Sequence, residues 1–322
     1  MTLVSHRISL LIASLVLALM FVVSLGIGVG DSTLADLWHR KAELDLLAIS
    51  RFPRTVGVVI TGAGLAIAGL IMQAITRNRF VEPSTAGTAQ SAELGILVAT
   101  VFWPGASLGL KALVASGAAI AGTAFFLMTA HRLPPTQPFL VPLFGLVYGG
   151  VLGAVATFIA WQTDLLQYIS IWSNGDFSGV LRGRYELLWL GVILVGAAWF
   201  VADRLTIMAL GREASIGLGI DYARMMQIGL CIISVISAVT VVVVGIVPFI
   251  GLVVPNLVSR MMGDNLRATL PVVAVSGATL LLACDILGRL IRFPYEIPVG
   301  TVMGVAGALL FLVLMFKPGV RG

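Results

Sequence analysis

DRLTIMALGREASIGLGIDYAR, residues 203–224, is a charged stretch caught between two uncharged apolar runs, Leu187–Ala202 and Met225–Ser259. Asp203, Arg204, Arg212, Glu213, Asp221 and Arg224 cannot be placed in hydrocarbon without a large cost, so this piece lies outside a bilayer that its flanks enter. It is too short to fold as a domain. Ala209–Ile216 has the composition of about two helical turns, punctuated by Gly211, Gly217 and Gly219. The segment is either a solvated loop or a short surface helix on which another protein can act.

The rest of the chain reads outward from that boundary. Of 322 residues, 59% are hydrophobic and 11% charged, and the mean hydropathy is +1.05, values that belong to a polytopic membrane protein and exclude a water-soluble domain. A hydrocarbon core about 30 Å thick takes about 20 helical residues. The uncharged runs Ile8–Gly30, Thr55–Thr76, Leu94–Leu110, Ala112–Ala130, Leu133–Thr163, Leu187–Ala202, Met225–Ser259, Ala268–Ala283 and Ile297–Phe316 are the candidate spans. Met225–Ser259 would be roughly 50 Å long as one helix. Gly245 and Pro248 offer a break, and the reading becomes an all-α, single-domain protein over residues 1–322 with about ten transmembrane helices and a short helix in 203–224 between the sixth and seventh. The first run is too long for the apolar core of a secretory signal and is read as the first span.

Charge and chemistry narrow the function. The net charge is +5, but the basic residues are dispersed among loops, which argues against nucleic acid. With the N-terminus inside, eleven Lys and Arg face the cytoplasm and nine face outward, a weak bias by the positive-inside rule. No HExxH, GxSxG or clustered acid, base and nucleophile set is present, so no catalytic residues and no metal site are expected. Cys231 and Cys284 lie in apolar runs and read as small core residues. Carboxylates are sparse within the spans: Glu93 and Asp285 are the nearest candidates, at span ends, and Asp285 and Arg289 are spaced to pair on one helical face. A proton- or sodium-coupled transporter needs more than this. No GxxxxGK[ST] loop is present either, so ATP-driven transport would need a separate ATPase. Glycines recur at four-residue spacing, at Gly145, Gly149 and Gly153 and at Gly300 and Gly304, which suits close helix packing within the chain or at a subunit seam.

Three strings carry a family resemblance. RFPRTVGVVITGAGLAIAGLIMQAITRNRFVEPSTAGT (Arg51–Thr88), GIVPFIGLVVPNLVSRMMGDNLRATLP (Gly245–Pro271) and EIPVGTVMGVAGALLFLVL (Glu296–Leu314) resemble signatures of the ABC importer permeases for iron-siderophores, haem and cobalamin. RNRFVEPSTAGT and DLLQYISIWSNGDFSGVLRGRYE look most like the branch importing ferric catecholate-type siderophores. Arg79 and Phe80 stand where the family commonly has Pro-Leu, Asn256 where it has His, and Cys284 where it has Ala; such changes are expected to bear on substrate subgroup.

The resemblance implies a permease in the inner membrane of a bacterium, paired with a second identical or homologous permease. Two cytoplasmic ATPases would hold ATP and Mg, this chain would bind no cofactor, and a soluble or lipid-anchored binding protein would deliver a ferric siderophore. Gly211, Arg212, Glu213, Ala214, Ser215, Ile216, Gly217 and Leu218 would form the coupling helix in an ATPase groove. Arg51, Arg54 and Arg289 would form a cationic rim for carboxylates of the binding protein, against the alternatives of lipid snorkelling or an Arg289–Asp285 pair. Thr136 and Gln137, in the stiff HRLPPTQP connection, would sit at an inner gate. Asp164–Glu186 would form a short helix at the outer mouth. A haem or cobalamin permease is the alternative within the family; a secondary transporter or channel is the alternative outside it.

Overall fold

The structure, a computed structural model, describes residues 3–27, 47–134, 137 and 139–316. Twelve α-helices and no strands occur among the described residues. They are α1 (Leu3–Gly26), α2 (Phe52–Thr76), α3 (Thr88–Phe102), α4 (Leu108–Ala130), α5 (Leu140–Gln162), α6 (Leu166–Ser173), α7 (Trp189–Met208), α8 (Arg212–Gly217), α9 (Tyr222–Val243), α10 (Ile250–Met262), α11 (Leu266–Leu290) and α12 (Val299–Phe316). A π-turn at Leu47–Arg51 leads into α2, and a 3₁₀ turn at Tyr185–Leu188 leads into α7.

Among the described residues, eight helices are long and apolar enough to cross a membrane: α1, α2, α4, α5, α7, α9, α11 and α12. The other two apolar helices are short, α3 with 15 residues and α10 with 13. Both begin inside the bundle after an irregular segment, and they stand beside the eight long helices as shorter apolar helices. The break expected in Met225–Ser259 falls at 244–249, where Gly245 has φ +98 and Phe249 has φ +67; Pro248 cannot donate to a helix that would run through it.

Local chemistry fixes several ends. Ser107, Asn265 and Asp221 cap α4, α11 and α9 by accepting from the backbone N–H three residues on, at 3.3, 3.2 and 3.0 Å. Pro53 sits in the first turn of α2, where its missing N–H is harmless. Arg77 ends that helix in the left-handed conformation, φ 49.

The centre of the bundle is α2, most of whose apolar stretch is buried, against very little for α1. α2 packs on α11, α10, α9 and α7. Glycines let the backbones approach: Gly62 lies against Gly277 of α11, and Gly69 against Gly251 of α10. The four-residue glycine rows are used mainly inside the chain. Gly145 and Gly149 of α5 face Thr85 and Gly87, and Gly300 faces Gly175, whereas Gly153 borders open space. Outward faces are apolar, with Leu11, Leu15 and Leu19 of α1 and Leu146, Val151 and Phe158 of α5 exposed, as lipid or another apolar helix surface requires.

Candidate functional site

The sequence-expected residues collect at the two ends of the bundle. At one end, α8 is a six-residue helix, shorter and later than the two turns expected from Ala209. Gly211 stands at its N-terminus with φ +109, a conformation that interrupts any helix begun at Ala209. Ser215 is fully buried and ties α8 down: its hydroxyl donates to the Gly211 carbonyl at 2.7 Å and lies 3.2 Å from that of Ile207. Arg212, Glu213, Ala214, Ile216, Gly217 and Leu218 are exposed, with Ile216 and Leu218 showing large apolar surface. α8 is thus a ridge with one anchored face and one open face. A groove of about 470 Å³ runs beside it, bounded by Gln73, Arg77, Thr206, Leu210, Asp264 and Asn265. In the nearby 131–138 connection, Gln137 is exposed and Thr136 lies outside the described residues.

At the opposite end lies a buried ion network that the sequence foretold only as an Asp285–Arg289 pair. Asp285 and Arg289 share one turn of α11 and are ion-paired. Arg54 of α2 also reaches Asp285, with Nη2 at 2.8 Å and Nε at 3.1 Å from Oδ1, and its Nη1 meets Glu296 at 2.7 Å. Arg289 donates further to the Ser24 and Ile27 carbonyls, both at 3.1 Å, and to the Ser24 hydroxyl at 2.6 Å. Ser24 in turn contacts Thr55 at 3.0 Å. Two cations and two anions, with Asp285 fully buried, therefore pin α1, α2, α11 and the start of the last span together. The guanidinium forks of Arg54 and Arg289 are turned inward onto these partners, so the two residues expected in a cationic rim are here parts of an internal network. Arg51 is half-buried, with Nη1 3.4 Å from the Leu25 carbonyl. On the same end, α6 supplies the short helix expected within Asp164–Glu186.

Sequence reading missed a third feature, Glu82. It follows α2 in a connection, residues 77–87, that turns back along α10 instead of leaving the protein. Three contacts fix this strap: Arg79 pairs with Asp264 at 2.7 Å, Asn256 donates to the Arg79 carbonyl at 2.7 Å, and the Phe249 amide donates to Glu82 at 2.8 Å. Glu82 is buried and sits at the N-terminus of α10, where unpaired N–H groups and the helix dipole favour an anion. The available signal was the Gly245–Pro248 break itself, since a broken helix exposes backbone donors that some side chain must satisfy. Arg79 and Asn256, two of the noted departures, touch each other here, and Phe80 stacks on Phe139 at 5.1 Å. These three residues lie at the α8 end, where they make contacts between the strap and its neighbours. Glu93, the other expected acid, is buried in α3 and accepts from Ser173 at 2.7 Å.

A broken-helix bundle with a tethered external helix between two spans matches known proteins. The FecCD transport family aligns with residues 15–317. The chain belongs to that family. Among FecCD relatives, it is 43% identical over 304 residues to the petrobactin import system permease protein YclN of Bacillus subtilis, covering 94% of this chain and 96% of YclN. It is 41% identical to the ferric-anguibactin transport system permease protein FatD of Vibrio anguillarum, over 88% and 90% of the two chains. Identity to the vitamin B12 import system permease protein BtuC of Citrobacter koseri is 31%, over 95% and 94%. The fold also matches an inward-facing metal-chelate-type ABC transporter chain, with TM-score 0.82, 24% identity and coverage of 96% and 99%. This FecCD chain is therefore a multi-pass transport component of the ABC permease type.

Proposed function

We propose that the chain is the permease subunit of an ATP-driven importer that carries a ferric siderophore of the catecholate type across the bacterial cytoplasmic membrane. The observation that carries this reading is the near-full-length identity to two permeases named for siderophores, which exceeds that to the vitamin B12 permease. A second permease subunit, two ATPases holding ATP and Mg, and a binding protein complete the machine. This chain does no covalent chemistry. Uptake of radiolabelled iron by the reconstituted complex, offered a panel of purified siderophores, tests the reading. Import of haem or cobalamin in place of every siderophore would refute it and favour the alternative within the family.

Energy enters, on this reading, through α8. Its exposed ridge fits a groove on an ATPase, and Ser215 makes the ridge move with α7. Glu213 is the clean probe because it is exposed, so its replacement costs no internal contact. Glu213→Ala is expected to leave the permease folded while lowering both uptake and substrate-stimulated ATP hydrolysis. Wild-type values for both would remove α8 from the coupling path.

Docking of the binding protein is proposed at the opposite end, around Arg51, Arg54 and Arg289. Because Arg54 and Arg289 are committed to Asp285, charge reversal there would test folding rather than docking. Arg51→Glu is the informative change. It is expected to slow association of the loaded binding protein by about tenfold at low salt, since rim charges act chiefly on encounter rates. The difference should shrink as salt rises and the Debye length falls below about 10 Å. Equal rates at low salt would exclude Arg51 from the docking surface.

A further inference from the structure

We propose that the helix break between α9 and α10 contains a binding site for one water molecule, shared by Ser237 and Glu82. The site is a cavity of about 20 Å³ bordered by Leu65 of α2, Glu82 and Ser84 of the strap, Ser237 and Thr240 of α9, and Gly251 of α10. One water needs roughly 10–15 Å³ of such space and two to four polar partners. Ser237 supplies the first reason to fill it. Its side chain is 2% exposed, it borders the cavity, and its hydroxyl has no hydrogen-bond partner. A buried hydroxyl left in that state is desolvated with no hydrogen bond to offset the loss.

Glu82 supplies the second partner. It too is 2% exposed. Its Oε1 accepts from the Ser84 hydroxyl at 2.5 Å and from the Phe249 amide at 2.8 Å. The Ser84 and Phe249 bonds both use Oε1, and the Gly251 and Leu252 amides are the other donors near the carboxylate. Since a carboxylate offers about four acceptor positions and no close hydrogen bond from the described residues reaches Oε2, that oxygen is the one a donor from the cavity would meet. Water fits both needs at once, accepting from Ser237 and donating to Glu82. A metal cation does not. Leu65, Ala89, Val241 and Val247 make most of the wall apolar, and the positive end of α10 points at the same place. The water would join α9 to the strap where both helices of the pair lack regular backbone bonding.

The experiment compares Ser237→Ala with the wild type as purified full-length chains. If the hydroxyl faces an empty void, alanine removes an unsatisfied group and the melting temperature rises. If it holds a water, alanine takes away one of that water's partners, and the melting temperature is expected to fall by about 2 °C, since the shift produced by one lost interaction shrinks as the chain lengthens. An unchanged or raised value overturns the proposal. A density map of the wild type at a resolution that shows waters gives the second reading. A peak within about 3.2 Å of both the Ser237 hydroxyl and the Glu82 carboxylate is expected, and an empty cavity overturns the proposal whatever the variant does. Wild-type melting in sodium, potassium and choline chloride should coincide; a rise specific to one metal ion would replace the water with a cation.

Discussion

Replacing Asp285 by alanine is expected to leave little folded protein. Asp285 is fully buried and is the one carboxylate in the network bonded to both Arg54 and Arg289. Removing it leaves two guanidinium groups facing each other, with one carboxylate, Glu296, on Arg54 alone. Loss of one partner from a buried ion pair costs about 3–5 kcal/mol, because the remaining charge stays desolvated, and the low-dielectric surroundings of a membrane bundle offer no relief. The measurement is the yield and melting temperature of purified Asp285→Ala, set against Arg79→Ala. Arg79 also has a carboxylate partner at 2.7 Å, but both members are more than half exposed, and such pairs contribute about 0–1 kcal/mol. A triple replacement of Arg54, Asp285 and Arg289 by apolar residues of similar size should recover much of the lost stability, as replacement of whole buried networks commonly does. If Asp285→Ala melts like the wild type, the network does not hold these helices together.

The network also shows what the sequence could and could not convey. The pair Asp285 and Arg289 was legible because spacing of four on a helix places two side chains on one face. Arg54 was not, since it meets Asp285 across 231 positions of chain, and nothing in a local pattern encodes such a partner. The spans were legible for the same local reason: an uncharged run of about 20 residues has little choice but a bilayer. α3 and α10 were harder, because half-length helices use the same apolar residues as full ones. Glu82 escaped entirely. It stands in a polar-looking stretch, RNRFVEPS, that reads as a loop outside the membrane, yet the fold turns it inward to meet the amides freed at the α9–α10 break. The charged segment 203–224 was legible as a short helix between two spans, while that helix proved shorter because Gly211, at φ +109, interrupts it.

Adding one methyl group at Gly69 is expected to be as damaging as removing Asp285. A Cβ at Gly69 would run directly into the backbone of Gly251, including its carbonyl oxygen, which already accepts from Gln73 at 3.1 Å. Neither partner is a flexible side-chain end that could swing away. The helices would have to separate by a sizeable fraction of a contact distance, and α2 cannot retreat, because Gly62 on the same helix meets Gly277 of α11 just as closely: a Cβ there would lie 2.5 Å from that carbonyl and 2.9 Å from the Ala278 Cα. Overpacking of a well-packed interior typically costs about 1–3 kcal/mol even when side chains can adjust, and here the obstacle is backbone. Gly69→Ala should therefore abolish recovery of folded permease or lower its melting temperature by several degrees. Gly153→Ala is the control, since a Cβ at Gly153 meets nothing within 4 Å and alanine favours helix by up to about 1 kcal/mol over glycine. That variant should melt at or above the wild type. The contrast separates glycines that this chain needs for contact between its own helices from those it leaves at its outer surface. Equal behaviour of the two variants would mean that α2 and α10 do not pack through Gly69.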